Sequence, residues 1–357
     1  MGTELKKIMK ELEKEINKRL RKFFKEEIRE ASKIDPTLKE ATEMVADFTL
    51  RGGKRIRSIL MYYGYLATGK RRTEKILDAS LSMELIHSAL LIHDDIIDND
   101  EMRRGKLTLH KEYEKFFWKM KVEKSEELGR SLAILCGNIA YSFAVKVLHR
   151  SKFDARPTMK ACSLFQSMFN HTQAGEIMDV IGSTKKNLTI KDVIKIYKYK
   201  TVQYTIEYPL LMGALLGNGK TELRNVLSKY AVLLGTAFQI RDDILGIFSD
   251  SKTTGKDAGS DLREGKKTVI ILKTLENASP KDKKKIETIL ESKELTKKKL
   301  NDFKKIAKDS GALTYCNGLA NNLSVQAKDI ILKSTLSKTT RDFFLESADY
   351  MTKDRKK

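Results

Sequence analysis

Apolar residues recur every three or four positions along almost the whole chain, and this spacing limits the fold most. Segments 5–24 (LKKIMKELEKEINKRLRKFF) and 192–216 (DVIKIYKYKTVQYTIEYPLLMGALL) show it clearly. This period is that of an amphipathic helix, and no long stretch alternates apolar and polar residues as a half-buried strand would. The sequence therefore predicts an all-α fold: a single-domain helical bundle over 1–357, with an amphipathic helix over 1–30 packed on or near it.

The charge of the chain is strongly positive. It has 69 Lys and Arg against 48 Asp and Glu, which gives a formal net charge of +21. Such a balance favours an anionic partner: a nucleic acid, a membrane surface or a phosphorylated small molecule. The lysines are spread along helical segments such as 283–305 and are not gathered into one arm, so a solvated lysine-rich surface explains much of the charge equally well.

The cysteines and the apolar runs indicate where such a chain works. Cys136, Cys162 and Cys316 lie far apart, without the spacing of a zinc site. This pattern is typical of a reduced, cytoplasmic setting. No uninterrupted apolar run is long enough to span a bilayer. We therefore expect a cytoplasmic protein, with at most a peripheral membrane contact.

The stretch LLIHDDIIDNDEMRRG, residues 90–105, ends an apolar run in a dense acidic cluster. On a helix, Asp94 and Asp98 share a face and Asp95 lies close by, so their charges repel unless a cation bridges them. Oxygen ligands without thiolates favour a hard ion, Mg²⁺ or Mn²⁺. Arg103 and Arg104 then suit phosphate oxygens through bidentate hydrogen bonds. The alternative is an acidic helix end that breaks into a solvated turn.

A second acidic group repeats this arrangement in TAFQIRDDILGIFSD, residues 236–250. An apolar helix ends there in Asp242, Asp243 and, later, Asp250. Helical bundles often build metal sites from side chains on facing helices. We therefore expect the two acidic groups to face one another, with a diphosphate held between them by metal ions.

Basic residues next to glycines and at mid-helix positions complete the pattern. A glycine turn lets a backbone approach an anion closely, and a buried lysine requires an anionic partner. A single helical lysine is usually just solvated, so the set carries the argument. The residues are Lys54 and Arg57 in RGGKRIR, Lys200 beside Thr201 in YKYKTVQY, and Lys256 and Lys266 in TGKDAGSDLREGKKT.

Four motifs in this order and spacing resemble those of the trans-isoprenyl diphosphate synthases: GGKRIR, LIHDDIIDNDEMRRG, FQIRDDILGIF and GKDAGSDLREGKKT. The resemblance runs from about residue 15 to the C-terminus, and its details are most like the archaeal-type geranylgeranyl branch. It implies the isoprenoid synthase type I fold, an all-α bundle around a deep apolar cavity, usually as a homodimer. It also implies a prenyltransferase with about three Mg²⁺ ions, which joins isopentenyl diphosphate to dimethylallyl, geranyl or farnesyl diphosphate.

The resemblance assigns roles to individual residues. The metal ligands it implies are Asp94 and Asp98 with Asp95 in support, and Asp242 with Asp243. The groups expected to hold the allylic diphosphate are Arg103, Lys200 and Lys256. Those expected to hold isopentenyl diphosphate are Lys54, Arg57, His87 and Arg104. Gln239, Asp261 and Lys266 would surround the third metal, and the Thr201 hydroxyl and Lys200 carbonyl would face the developing carbocation.

Three positions depart from the family pattern. The second motif is often DDxxD, but its last position is Gly246, so metal binding there is expected to rest on Asp242 and Asp243, with Asp261 contributing through a water molecule. Asn138 stands where aspartate is common, and Glu176 stands where glutamine is common. We expect these changes to tune activity, with a weakly active paralogue as the alternative.

Residues that precede the first acidic motif predict the product length. On a helix, Leu90, Ala89, Ile86 and Met83 would face the bundle interior, and Met83 would lie roughly 16 Å deeper than Asp94. In the family, a bulky aromatic five residues before the first aspartate commonly stops elongation early, and this chain has Ala89 there. The sequence therefore predicts a C20 to C25 product and not C15. The alternative is that another helix or the dimer partner sets the length.

Alternative functions fit the same residues less well. A terpene cyclase would use similar metals and a similar bundle, but it has no need of GGKRIR. A nucleic-acid-binding helical protein would need clustered cations and has no use for two acidic groups. A P-loop is excluded at GALLGNGKTE because Ala214 stands where its first glycine is required. The aromatic run FFW at 116–118 is expected to serve in packing and not as a ligand-binding box.

Overall fold

The computed structural model describes residues 3–185, 187–249, 259–292 and 294–352. Helices make up nearly all of the described chain, which confirms the all-α prediction. Their bounds are α1 Thr3–Ser32, α2 Pro36–Leu50, α3 Ile56–Leu66, α4 Glu74–Ile97, α5 Leu109–Lys119, α6 Ser125–His149, α7 Ala155–Thr184, α8 Ile190–Tyr197, a π-helical segment Lys198–Glu207, α9 Tyr208–Leu216, α10 Thr221–Phe248, α11 Ser260–Arg263, α12 Val269–Asn277, α13 Pro280–Leu290, α14 Lys297–Asp309, α15 Ala312–Leu332 and α16 Lys338–Thr352.

The chain divides into two compact units. The amino-terminal unit holds Thr3–Ser163 and Met212–Gly219, and the carboxy-terminal unit holds Leu164–Leu211 and Lys220–Lys357. Each is described below by itself.

Several helices begin at residues that satisfy their first amide groups. Asp35 caps α2 by accepting a hydrogen bond from the Thr37 amide at 2.8 Å, and Pro36 occupies the first helical position. Thr189 and Asp192 form a reciprocal capping box at the start of α8. Since the first amides of a helix have no partner within it, such caps fix where each helix starts.

A two-stranded antiparallel ribbon interrupts the helices between α4 and α5. It pairs β1 (Met102–Arg103) with β2 (Lys106–Leu107). The two residues between the strands, Arg104 and Gly105, both have positive φ, at 53° and 76°. A two-residue turn with this backbone matches the twist of a tight hairpin. The ribbon therefore directs Arg103 of the first motif back toward the end of α4, while Arg104 contacts the Gly52 carbonyl.

The amino-terminal unit is organised around α4 and one buried ion pair. Most of α4 is buried, and Arg55 ion-pairs with Glu84 of this helix at 3.2 Å, with both side chains less than 5% exposed. The Arg55 guanidinium also donates to Asn17 of α1 and to the Thr49 carbonyl of α2, each at 2.9 Å. These bonds join α1, α2 and α4 at one point. Helix α1, the predicted amphipathic helix, thus packs on the other helices of this unit.

The carboxy-terminal unit has a core formed by buried apolar residues of α8 and α10–α15. The π-helical segment packs closely against two helices at glycines. A Cβ at Gly175 of α7 would lie 2.1 Å from the Lys200 amide nitrogen, and one at Gly235 of α10 would lie 2.4 Å from Val202. Pro209 follows this segment and cannot donate the backbone hydrogen bond that a continuing α-helix needs. The close packing holds Lys200 at a fixed place.

Among the described residues, two helices are long and apolar enough to cross a membrane by length and composition, Glu74–Ile97 and Ser125–His149. The first is mostly buried within the protein, as the core helix of a globular protein is, and the second is less than half buried. The search for uninterrupted apolar runs in the sequence did not find these two helices, because charged or polar residues interrupt both of them.

The Arg55–Glu84 pair generates a stability prediction. Arg55→Met should lower the free energy of unfolding by about 3–5 kcal/mol, because it leaves the Glu84 carboxylate buried without its cation. Denaturant unfolding followed by circular dichroism measures this. Lys333→Met is the matched control, since it breaks the exposed Lys333–Asp329 pair of 2.6 Å, and it should cost less than about 1 kcal/mol. Equal losses in the two variants would contradict the assignment.

Candidate active site

The first acidic motif occupies the carboxyl end of α4. Asp94 and Asp95 lie in its last turn, and Asp98 is its C-terminal cap, whose amide donates to the Asp94 carbonyl at 2.8 Å. The carboxyl end of a helix carries partial negative charge, which disfavours carboxylates there. This cluster is therefore unfavourable twice, through mutual repulsion and through the helix dipole, and a nearby cation stabilises it.

Arg103 of the β-ribbon supplies that cation. Its guanidinium lies 3.4 Å from Asp94 and 3.2 Å from Asp100, and its Nε donates to Asp95. Burial opposes the positive charge, but attraction by Asp95 and Asp94 outweighs burial and raises the pKa of Arg103. One arginine thus faces three carboxylates, so the cluster retains net negative charge.

Asp95 is the most buried carboxylate of the cluster. Burial outweighs its attraction to Arg103 and raises the pKa of Asp95 to about 7. Its Oδ2 is buried and accepts no hydrogen bond from the described residues. A buried oxygen left in this way is costly without a partner. An added cation near Asp94 and Asp95 would lower this cost.

The donor set fits a hard divalent cation. It consists of carboxylate oxygens, which suit Mg²⁺ better than softer metals. Among the described residues, no three His, Cys, Asp or Glu side chains are arranged to hold an ion by themselves. Mg²⁺ commonly takes one or two carboxylates and completes its shell with water and phosphate oxygens, so Asp94 and Asp98 meet its requirement when a phosphate is present.

The glycine turn of GGKRIR approaches Arg104. Gly52 and Gly53 have φ values of +104° and +114°, and the Gly52 carbonyl accepts a hydrogen bond from Arg104 at 2.6 Å. A Cβ on Gly53 would lie 3.2 Å from the Arg104 guanidinium. Gly53 thus makes room for an arginine, and the close approach of this backbone to an anion stays a prediction. Lys54 beside them is exposed and Arg57 is half-buried.

His87, on α4, lies in a strongly positive environment. Burial first, and then the charges of Arg57 and Arg104, lower the pKa of His87 well below its usual value. Burial and the charge of Arg55 likewise lower the pKa of Arg104. Cations that disfavour one another's charge indicate a site suited to an anion. A neutral His87 ring would donate a hydrogen bond to that anion and add no charge.

The residues predicted to set product length lie on α4, before the acidic cluster. Met83, Ile86 and Ala89 are buried, and Leu90 is half-buried. Their burial agrees with an inward-facing helix surface. It agrees equally with ordinary core packing, so their role stays a prediction.

In the carboxy-terminal unit, a pocket collects six residues that the sequence predicted for the site. The pocket-lining residues from that set are Lys200, Thr201, Gln239, Asp243, Asp261 and Lys266. Asp242 is half-buried on α10 and is not among the residues that line this pocket. Lys256 and Asp250 lie outside the described residues. The structure thus brings six of the predicted positions together within this unit, and their roles stay predictions.

Lys200 is held by two carboxylates of α7. Its Nζ lies 2.9 Å from Glu176 Oε1 and 2.7 Å from Asp179 Oδ2. We expected a mid-helix lysine to require an anion and proposed a diphosphate; here the protein supplies carboxylates. Glu176, in place of the glutamine common in the family, therefore adds a negative charge directly against Lys200.

Asp243 has a different environment from the carboxylates at the end of α4. Its oxygens accept hydrogen bonds from the Tyr197 hydroxyl and from Gln239 at 2.9 Å. Burial, and then the nearby charge of Asp261, raise the pKa of Asp243 well above its usual value. Since both carboxylate oxygens of Asp243 already accept hydrogen bonds from the protein, this geometry suits a residue that positions Tyr197 and Gln239. Its proposed metal ligation stays a prediction.

Gly246 and Asp261 are neighbours, as the departure from DDxxD suggested. A Cβ on Gly246 would lie 3.6 Å from Asp261 Oδ2, and the Gly259 amide donates to the Gly246 carbonyl at 2.9 Å. The carboxylate of Asp261 thus stands beside the position that lacks its aspartate.

Among the pocket residues that sequence reasoning missed, Asp179 and Tyr197 contact predicted residues directly. Asp179 follows Glu176 by three residues, which puts both carboxylates on one helix face, so the GEIMD stretch carried a usable signal. Tyr197 had none. Its hydroxyl binds Asp243 and accepts from the Val269 amide at 3.0 Å, and only the folded chain brings these together.

The sequence profile of the polyprenyl synthetase family matches residues 38–308. The chain belongs to this family, which confirms the resemblance of its motifs.

Individual proteins of known type that are similar to this chain agree with the family assignment. The chain is 30% identical over 308 residues to a geranylgeranyl diphosphate synthase of Saccharolobus solfataricus, covering 86% of this chain and 87% of the relative. It is 33% identical over 259 residues to a short chain isoprenyl diphosphate synthase of Methanocaldococcus jannaschii, covering 72% and 73%. A Corynebacterium glutamicum geranylgeranyl pyrophosphate synthase, solved with isoprenyl diphosphate and magnesium, matches with a TM-score of 0.91 at 29% identity, covering 96% of this chain and 99% of that one. The archaeal relatives and the shared fold confirm the predicted family branch and fold class.

The contact between Glu176 and Lys200 generates a binding prediction. Glu176→Gln should lower the dissociation constant of inorganic diphosphate by roughly two- to fivefold, because it frees Lys200 from one of two half-buried carboxylates. Calorimetric titration in the presence of Mg²⁺ measures this. Glu276→Gln is the matched control, since it removes the same charge from an exposed pair with Lys273 at 3.1 Å. If both variants bound diphosphate as the wild type does, the tuning role of Glu176 would be wrong.

Proposed function

We propose that the chain condenses isopentenyl diphosphate with an allylic diphosphate, of the dimethylallyl, geranyl or farnesyl type, to give an all-trans polyprenyl diphosphate. The chain is a prenyltransferase of the polyprenyl synthetase family. One observation carries the finer proposal. The unit that holds the acidic end of α4 also holds a cationic group around His87, in which the charges of Arg57 and Arg104 disfavour one another. The allylic diphosphate is proposed to bind through metal ions at the acidic site, and isopentenyl diphosphate is proposed to bind at the cationic site.

The acidic residues would hold Mg²⁺, about three ions by analogy with the family, or Mn²⁺. Asp94 and Asp98 are the proposed ligands, with Asp95 in support, and Asp242 with Asp243 is proposed for the second cluster. Bound Mg²⁺ neutralises the diphosphate and so makes it a better leaving group. The Corynebacterium relative was solved with magnesium and isoprenyl diphosphate, which supports this choice of ion.

The cations divide between two diphosphates. Lys54, Arg57, His87 and Arg104 are proposed to hold isopentenyl diphosphate, and Arg103, Lys200 and Lys256 the allylic one. Arg103 already faces the carboxylates of α4, so it can contact a phosphate beside them. Such fixed cations stabilise the negative charge that develops on the leaving diphosphate.

Ionisation and bond formation follow from these contacts. The allylic C–O bond breaks, and both of its electrons leave with the diphosphate. The double bond of isopentenyl diphosphate then attacks the cation and forms the new C–C bond. Loss of a proton restores a double bond, and an oxygen of the departed diphosphate is the proposed acceptor. The Thr201 hydroxyl and Lys200 carbonyl are proposed to stabilise the carbocation, and an apolar surrounding excludes water from it.

A test of this proposal is condensation itself. Radiolabelled isopentenyl diphosphate, an allylic primer and Mg²⁺ should give a labelled polyprenyl diphosphate, and chelation should stop it. Asp94→Ala and Asp242→Ala should each reduce turnover by roughly a hundredfold or more, because each removes charge that holds the metal. Circular dichroism should show unchanged helix content.

Each result decides between functions. Unlabelled products made from an allylic diphosphate alone would indicate a terpene cyclase instead. Near-normal turnover in either aspartate variant would exclude the metal bridge. A weakly active paralogue would show labelled product at a low rate that Glu176→Gln or another family-like substitution raises.

The product is proposed to be C20 geranylgeranyl diphosphate or somewhat longer, up to C25. Ala89 puts a small side chain on the buried face of α4 at the position where, by the family resemblance, an aromatic residue would block elongation, and Ile86 and Met83 are buried earlier on the same helix. One isoprene unit is about as long as one helical turn, roughly 5 Å, so successive side chains can act as successive floors.

The proposal that Met83, Ile86, Ala89 and Leu90 limit the chain length generates a product-length prediction. Ala89→Phe should shift the product toward C15 without abolishing condensation, because its ring fills the upper part of the path. Chromatography of the dephosphorylated products measures the change. Ala140→Phe is the matched control, since Ala140 is equally buried on α6 but is not one of the proposed floor residues. A wild-type product distribution from Ala89→Phe would mean that this face of α4 does not set the product length.

The enzyme is proposed to be a cytoplasmic homodimer without a nucleic-acid partner. Helix α6 is strongly apolar and less than half buried, and it exposes Leu128, Ile134 and Leu135. An exposed apolar surface of this kind suits a protein interface. A second copy of the chain is the proposed occupant, since the family is usually dimeric.

A further inference from the structure

The aromatic run FFW at 116–118 is exposed at the end of α5. The sequence led us to expect a packing role, but within the described chain Phe116 is 47% and Trp118 is 72% exposed, and Met120 just after the helix is 61% exposed. Only Phe117 is half-buried, and its ring centroid lies 5.4 Å from that of Phe116. Three large apolar side chains thus surround one helix tip, and the mechanism uses none of them.

The tip has a closed backbone. The Val122 amide donates to the Phe117 carbonyl at 3.1 Å, and the Lys121 amide donates to the Trp118 carbonyl at 2.9 Å. Lys121 has the positive φ, 60°, of the residue that ends a helix in this pattern. The Met120 amide donates to the Phe116 carbonyl. Because the carbonyls of Phe116, Phe117 and Trp118 have internal partners, these three groups stay satisfied when the tip enters an apolar medium.

Lysines surround the same tip. Lys115, Lys119 and Lys121 are exposed and form no ion pair with residues in the described parts of the chain. Cations also suit the carboxyl end of a helix. The surface is therefore apolar at its centre and positive at its edge. We name the set Phe116, Trp118, Met120, Lys115, Lys119 and Lys121 the α5 tip.

We propose that the α5 tip docks on the surface of an anionic lipid bilayer. Aromatic side chains flanked by lysines are typical of segments that insert shallowly at a membrane interface, where the rings enter the headgroup boundary and the cations face anionic lipids. This inference rests on the proposed function for its purpose: a polyprenyl diphosphate is an amphiphile that partitions into a bilayer. A basic enzyme held at the surface would release it there.

The chain contains its own reporter for this site, because Trp118 is its only tryptophan. Full-length protein is mixed with vesicles of phosphatidylcholine alone or of phosphatidylcholine with phosphatidylglycerol. With the anionic vesicles, emission should shift to shorter wavelength, and lipids brominated on their acyl chains should quench it. Vesicle flotation measures binding independently. Emission that stays unchanged while the protein floats with anionic vesicles would overturn the proposal, because binding would then occur elsewhere.

Variants separate the tip from the general positive charge. Phe116→Ser with Met120→Ser should weaken vesicle binding several-fold while Trp118 remains as reporter. Lys115→Gln, Lys119→Gln and Lys121→Gln together should weaken binding by roughly fivefold per lysine. The matched control carries Lys281→Gln, Lys284→Gln and Lys297→Gln, three exposed lysines of the α13–α14 region. Equal losses in the two lysine variants would overturn the assignment to the tip.

Solution measurements distinguish membrane docking from misfolding, dimerisation and RNA binding. Condensation by the tip variants in vesicle-free solution should equal that of the wild type, which separates docking from the proposed activity and from misfolding. If the wild type failed to condense substrates but its Trp118 emission still responded to anionic vesicles, the proposed function would be wrong and the docking surface would stand. Light scattering tests a second copy as the occupant: loss of the dimer in the Phe116→Ser, Met120→Ser variant would overturn membrane docking. Emission changes with RNA but not with vesicles would overturn it as well.

Discussion

Negative charge at the carboxyl end of a buried helix is the constraint on which the amino-terminal unit depends. Asp94, Asp95 and Asp98 stand where their mutual repulsion and the dipole of α4 both disfavour them. The β-ribbon offsets part of this cost by turning Arg103 onto the cluster. One arginine leaves part of the negative charge unbalanced, and divalent cations bound with a diphosphate are the proposed source of the remaining positive charge. The catalytic proposal therefore begins with the stability of one helix end.

The carboxy-terminal unit balances its charges differently. Lys200 is fixed between Glu176 and Asp179, and Asp243 is fixed between Tyr197 and Gln239. Close packing at Gly175 and the wider π-helical turn place Lys200 for these contacts. Groups held in this way have fixed positions before an anion binds, which favours electrostatic catalysis. The same pairing means that a diphosphate must compete with carboxylates for Lys200, and the glutamate at 176 makes that competition stronger.

Much of the fold and part of the site could be predicted from the sequence, for physical reasons. Helical periodicity is local, so it indicated the all-α class, and the spacing of Asp94 and Asp98 fixed their common face. Contacts between distant segments were not predictable: no local pattern indicates that Tyr197 meets Asp243 or that Arg55 meets Glu84. The exposure of Trp118 was also missed, because an aromatic run at a helix end has the same sequence pattern whether it faces the core or solvent. Lys256 stays a prediction, outside the described residues.

Binding of inorganic diphosphate with and without Mg²⁺ tests the central claim most directly, because it needs no turnover. The claim is that carboxylates at the helix ends bind diphosphate through divalent cations. Calorimetric titration of the wild type should show at least about tenfold tighter binding with Mg²⁺ than with a chelator, and Asp94→Asn should lose most of that gain. Equal affinity with Mg²⁺ and with chelator, or an unchanged gain in Asp94→Asn, would contradict the claim.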